Sequence, residues 1–128
     1  MNIYGLGCDL VNTKRVERLF LKKSSFKKRI FSKNEINYCE KKNNKYLSYS
    51  KRFAAKEAFS KALGTGIRKG LNFNEIEVIN DVLGKPKLAI TGKSLAIVKK
   101  ILKKKTFKSY ISISDDGIYA LSTVLILV

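Results

Sequence analysis

The run Arg52-Phe53-Ala54-Ala55-Lys56-Glu57-Ala58-Phe59-Ser60-Lys61-Ala62-Leu63-Gly64-Thr65-Gly66-Ile67 decides how this chain is organised. It is rich in helix formers and has neither Pro nor Gly before Gly64. It therefore reads as a helix stopped by a glycine, the residue that most readily takes the left-handed conformation past a helix end. Helical spacing places Phe53, Glu57, Ser60 and Lys61 on one face and Ala55, Ala58, Phe59 and Ala62 on the other. The small residues of the second face let the helix sit very close to whatever it packs against. The first face sets a carboxylate and an ammonium one turn apart beside an aromatic ring. On most helices such an i, i+4 pair is solvated decoration worth ~0.3–0.5 kcal/mol. Its companions elsewhere in the chain argue for more.

At 128 residues and 45% hydrophobic content the chain reads as one compact domain over 1–128 with a real core. No basic leader precedes the apolar N-terminal run, so no signal peptide is expected. The longest wholly apolar run, 124–128, falls well short of the ~20 residues a membrane-spanning helix needs. Cys8 and Cys39 read as free thiols of a reducing cytoplasm. The chain has no His and no Cys cluster, so the ligands of a zinc site are lacking. Any metal would be a hard cation held by carboxylates and phosphate oxygens. A net charge of +17 asks for a polyanionic partner: nucleic acid, an anionic membrane or an acidic protein. Lysine far outnumbers arginine and Asn and Ile are abundant, as drift in an AT-rich genome produces, so charge alone does not choose among them.

In chain order, residues 3–11 alternate as a strand. Tyr4, Leu6, Cys8 and Leu10 form the expected core side. The other side carries Ile3, Gly5, Gly7, Asp9 and Val11, bare backbone beside one carboxylate where a ligand could approach. The plainer reading is a twisted strand, with Asn12 or Thr13 capping the next helix. Residues 13–23 form a basic helix with Val16, Leu19 and Phe20 as its apolar stripe and Arg15, Arg18 and Lys22 as a cationic ridge. Ser32 and Glu35 make a capping box for a short helix to about Cys39. Residues 40–51 read as a solvated, mobile loop. The Gly64-Thr65-Gly66 turn is weak support for phosphate binding. Two strands, 75–79 and 87–90, flank the Gly84-Lys85-Pro86 turn, and 93–104 is an amphipathic helix with Leu95, Val98, Ile101 and Leu102 inward. Strands at 110–114 and 118–127 join in a hairpin about Asp115-Asp116-Gly117. The last strand is apolar on both faces from Val124, which hints at an oligomer interface.

Together, Gly5-Leu6-Gly7-Cys8-Asp9 with Arg15, the stretch 52–67, Leu71-Asn72-Phe73-Asn74, Gly84-Lys85-Pro86 and the hairpin ending in Tyr119-Ala120 resemble the holo-acyl-carrier-protein synthase family of 4′-phosphopantetheinyl transferases. The motifs stand in that family's order and spacing over essentially the whole chain. The resemblance implies an α+β fold, a small antiparallel sheet wrapped around a long central helix, assembling as a trimer. It implies a cytoplasmic enzyme of fatty acid biosynthesis that moves the phosphopantetheine arm of coenzyme A to a serine of apo acyl carrier protein, releasing adenosine 3′,5′-bisphosphate. Mg²⁺ would be held by Asp9 and Glu57 with pyrophosphate oxygens, and Lys61 would join the metal in offsetting charge on the leaving phosphate.

By the same resemblance Phe53, Ser60, Lys61 and Gly64 contact coenzyme A, and Gly84 and Pro86 lie near its adenine, supplied by a neighbouring subunit. Lysines of 41–51 meet the 3′-phosphate, and Arg15, Arg18 and Lys22 dock the acidic carrier protein. Glu57, Asp9 or a metal-ordered water could each act as general base. Tyr110 and Asp115 stand where many members carry histidine, so no histidine role in the coenzyme contacts transfers to this chain. Two other readings compete. A small basic nucleic-acid-binding module has the charge but no recognition helix or RNA-binding signature. A Mg²⁺-dependent phosphodiesterase uses the same carboxylates with water as the attacking group.

Overall fold

The computed structural model describes residues 1–64 and 70–128. Strand β1 (Ile3–Asn12) leads into α1 (Thr13–Lys22), α2 (Phe26–Ile30), α3 (Lys33–Glu40) and the long α4 (Lys45–Leu63). A 3-10 turn (Phe73–Glu75), β2 (Ile76–Asn80), β3 (Pro86–Ile90), α5 (Gly92–Leu102), β4 (Lys108–Asp116) and β5 (Tyr119–Leu127) complete the chain. Strands β1, β5 and β4 form an antiparallel sheet with β5 in the middle, and β2 and β3 form a separate two-stranded ribbon. Helix α4 packs across β1 and β5 and also meets α1, α3, α5, β2 and β4. This is the α+β arrangement expected from the motifs.

Helix α4 is surrounded because its sequence allows it to be. Residues from Ser48 to Leu63 are buried around nearly the whole circumference, the mark of a helix that serves as core. Its ends are chemically fixed. The Asn44 side chain accepts the Leu47 N–H at 3.2 Å, and Gly64, at φ +81°, donates its N–H to the Lys61 carbonyl. This corrects the solvated loop expected at 40–51, since α4 begins at Lys45. Its first turns are held by burial of Tyr49, whose ring lies 4.7 Å from that of Phe20 and 4.8 Å from that of Phe31. Tertiary packing outweighed the local excess of Lys and Asn.

The faces of β1 are also reversed from expectation. Gly7 and Val11 are buried, whereas Leu6 and Leu10 are 66% and 61% exposed. A Cβ on Gly5 would lie 2.0 Å from the Ala62 carbonyl oxygen, and one on Gly7 1.9 Å from that of Ala58. Only glycine lets α4 approach this closely, so the side without bulk is the packed one. The outer side of the sheet is left apolar. Leu6 and Tyr110 both pair with Leu125, and Leu10 with Leu121.

Local readings otherwise hold. Ser32 and Glu35 make the reciprocal capping box of α3. Val98 and Leu102 of α5 are buried, and Gly117, at φ +60°, turns the β4–β5 hairpin. Helix α2 was not legible as a separate element. Thr65 and Gly66 of the expected turn lie outside the described residues.

Candidate functional site

The inner side of β1 carries Asp9 between Gly7 and the buried Val11, just past the two glycines that admit α4, and its carboxylate meets Lys61 in the last turn of that helix. Lys61 reaches back across the gap. Its Nζ donates to Asp9 Oδ1 at 2.9 Å and to the Cys8 carbonyl at 3.1 Å. The ammonium is thus paired across elements, and the local Glu57–Lys61 pair is not formed. The Asp9 contact raises the Lys61 pKa.

Glu57, one turn earlier, is half-buried and has no ion-pair partner within 4 Å among the described residues. Burial pushes its carboxyl above the usual range, and the charge of Asp9 adds to the rise. Arg15 and Lys61 oppose it. Two carboxylates therefore converge beside bare strand backbone, with two cations at the rim. No group of three or more His, Cys, Asp or Glu gathers among the described residues. Two carboxylates fall short of a closed protein cage and could hold a hard divalent cation only together with further oxygens, such as those of a phosphate.

Other expected residues fall around this centre. Arg15 sits with its guanidinium 5.9 Å from the Phe53 ring centroid, and Arg18 and Lys22 are exposed on α1. Phe53 is 4% exposed and packs edge-on against Phe26 and Phe73, which makes it a support for Arg15. Ser60 is buried, and its hydroxyl donates to the Glu57 carbonyl at 2.8 Å. Gly64 closes the helix in the open, with nothing within 4 Å of where a Cβ would stand.

Gly84 and Pro86 line a separate cavity of about 430 Å³, together with Tyr38, Lys42, Asn44, Lys51, Arg52 and Asn80. The turn bearing them is preformed, because Asp81 Oδ1 accepts the N–H groups of Leu83 and Lys85 at 2.9 and 2.8 Å. The Gly84–Pro86 turn meets the first turns of α4 of the same chain here.

Arg52 is the residue the motif reading passed over. It is 6% exposed, stacks its guanidinium 4.0 Å from the Tyr38 ring centroid, and donates from Nη2 to Asn80 Oδ1 at 3.4 Å. Its buried Nε has no partner among the described residues, and Arg52 lines the cavity beside Lys42 and Lys51. The only sequence signal was its place at the head of the central run. Of the lysines at 41–51, Lys42 and Lys51 line the cavity, while Lys45 pairs with Glu40 at 3.5 Å. Lys51 also contacts Asp115 at 3.1 Å.

The model of the 4′-phosphopantetheinyl transferase superfamily matches residues 5–121. A holo-[acyl-carrier-protein] synthase of Pelagibacter ubique is 50% identical over 98% of each chain. Among solved structures, holo-[acyl-carrier-protein] synthase from Neisseria meningitidis superposes with a TM-score of 0.84 at 36% identity, covering 98% of each chain. A Chronobacterium ammoniagenes ACPS–CoA complex superposes at 0.87 with 27% identity, covering 99% of this chain and 98% of that one.

Proposed function

The chain belongs to the 4′-phosphopantetheinyl transferase superfamily, and on that footing we propose that it transfers the phosphopantetheine arm of coenzyme A to a serine of apo acyl carrier protein. The observation that carries this reading is the convergence of Asp9, Glu57 and Lys61 on the glycine-bared strand against α4. The serine oxygen forms a bond to the pantetheine-side phosphorus while the bond to the bridging oxygen breaks, and adenosine 3′,5′-bisphosphate leaves with that oxygen.

Asp9 and Glu57 fit Mg²⁺, since their mutual repulsion is what a divalent cation relieves and two carboxylates plus phosphate oxygens suit it. When bound, the ion supplies charge neutralisation at the pyrophosphate. Lys61, with a side chain 54% exposed, offers a second positive charge toward the departing phosphate. Asp9 is already engaged by Lys61, which leaves Glu57 as the better acceptor of the serine proton. Ser60 and Phe53 act from beneath, holding the Glu57 turn and Arg15, while Gly64 keeps the helix end clear for the pantetheine chain.

The second cavity takes the nucleotide end of coenzyme A. Gly84 and Pro86 wall the adenine, and the Arg52 guanidinium with Lys42 and Lys51 receives the 3′-phosphate. Arg52 precedes Glu57 by five residues, about 7.5 Å along the helix, so one helix spans both ends of the donor. The exposed ridge of Arg15, Arg18 and Lys22 suits the acidic carrier protein, and the apolar outer sheet face with Leu6, Leu10 and Leu121 suits a homotrimer. The reaction serves fatty acid biosynthesis in the cytoplasm. No helix among the described residues is long and apolar enough to cross a membrane.

Intact-mass spectrometry of apo acyl carrier protein incubated with the protein, coenzyme A and Mg²⁺ tests the reading. A gain of one phosphopantetheine, lost with chelator, is expected. Coenzyme A cleavage without modification of the carrier would instead establish a phosphodiesterase.

A further inference from the structure

Lys56 stands next to Glu57 on α4, about 100° further round the helix, and enters the interior. Its ammonium is fully buried. Nζ donates to Glu35 Oε1 at 2.7 Å, to the Phe73 carbonyl at 2.7 Å and to the Ile76 carbonyl at 2.5 Å. Three N–H groups thus meet three acceptors. Glu35 is equally buried. Its Oε1 also accepts the Ser32 N–H at 3.0 Å, and its Oε2 accepts the Val78 N–H at 3.0 Å. The cluster ties α4 to the start of α3, the 3-10 turn and β2.

A buried ion pair of this kind adds little net stability, since apolar side chains of similar volume do as well or better. It does add geometry. Three directional acceptors fix one point of α4 both in rotation and along its axis. The opposite side of α4 is held differently. There it rests on the bare backbone of Gly5 and Gly7, and its polar ties to β1 come from the half-exposed Lys61, which bonds Asp9 and the Cys8 carbonyl. Asp9 and Glu57 moreover repel each other across that contact. The buried cluster on the far side adds a second fixed point to the one Lys61 supplies.

We propose that the Lys56–Glu35 pair is a positioning device, setting the rotation of α4 that keeps Glu57 facing Asp9. This rests on the assignment of Asp9 and Glu57 as the reacting pair. Neither Lys56 nor Glu35 touches substrate.

Two variants test it. Lys56→Arg keeps the charge but places a larger, planar group among acceptors arranged for an ammonium. Glu35→Gln/Lys56→Met removes both charges at once and leaves no lone buried ion. The measurements are kcat, the KM for coenzyme A, and Mn²⁺ affinity by calorimetry without coenzyme A. In whichever variant folds, kcat and Mn²⁺ affinity are expected to fall about 10–100-fold, as for other residues that orient metal ligands. With the metal saturating, the KM for coenzyme A should stay near the wild-type value.

Val98→Ala serves as the comparison, because it opens a cavity under α5 and should lower the melting temperature without changing kcat or Mn²⁺ binding. A folded variant with wild-type kcat and Mn²⁺ affinity overturns the proposal. Unfolding of both variants overturns it too, because the pair would then serve only cohesion. If the wild-type protein transfers nothing to the carrier, the reaction assignment fails, and Mn²⁺ affinity still decides the positioning role.

Discussion

Gly7 and Ala58 meet backbone to backbone: a Cβ on Gly7 would lie 1.9 Å from the Ala58 carbonyl oxygen. This contact sets the distance between the strand that carries Asp9 and the helix that carries Glu57. Gly7→Ala must push the two apart, because a backbone carbonyl cannot swing aside as a flexible side chain could. Overpacking of this kind costs about 1–3 kcal/mol or more. The expected result is a melting temperature lower by several degrees and loss of transfer activity. Unchanged melting and rate would contradict the packing described here.

Glu57 gives the metal-free protein a pH signature. Its carboxyl titrates above 4.5 in the folded chain. Between the unfolded and folded values the native state binds more protons than the unfolded one, so stability falls as pH rises through that window. Glu57→Gln removes this loss. In chelator the variant should therefore gain thermal stability relative to wild type as pH rises above 4.5. Added Mg²⁺ should stabilise only the wild type. Melting curves from pH 4 to 8 check both, and a pH-independent difference would refute the assigned electrostatics.

Arg15 and Arg18 separate by their surroundings. Arg15 lies over Phe53 and acts on Glu57, whereas Arg18 is exposed on α1 and enters neither contact. Arg18→Glu is expected to raise the KM for carrier protein while sparing coenzyme A, with an effect that shrinks in high salt. Arg15→Glu should also lower kcat. Steady-state kinetics with each substrate varied in turn distinguishes the two, and identical profiles would remove Arg15 from the site.

Arg52 predicts donor selectivity. Arg52 lines the cavity with Lys42 and Lys51, so its guanidinium adds to the positive charge where the proposed 3′-phosphate would sit. Arg52→Gln should raise the KM for coenzyme A by about tenfold or more, since hydrogen bonds to charged groups contribute roughly 1.5–3 kcal/mol. The KM for 3′-dephospho-coenzyme A should barely change. Equal effects on both donors would place the 3′-phosphate elsewhere.

Much of the candidate site and its frame was legible because the residues that build it act locally. Gly64 ends α4 through its own backbone freedom, Ser32 and Glu35 cap α3 within one turn, and Gly117 turns the last hairpin. Asp9, Glu57 and Lys61 could be singled out because their spacing matches a known motif. Arg52 could not, because a buried arginine differs from an exposed one only through Tyr38, Asn80 and the Gly84 turn, all distant in sequence.

By itself, the sequence determined where most helices and strands lie, where the chain turns, and which carboxylates and lysine are candidates for phosphoryl chemistry. Those properties follow from caps, glycines and side-chain type, which need no knowledge of the rest of the chain. Only the tertiary structure decided which side of β1 is core, where α4 begins, and that Lys61 pairs with Asp9 and not Glu57. Alternation divides a strand into two sides but does not say which side another element will cover. That depends on how closely two backbones can approach, and here two glycines let a helix in where the bulkier side was left to face outward.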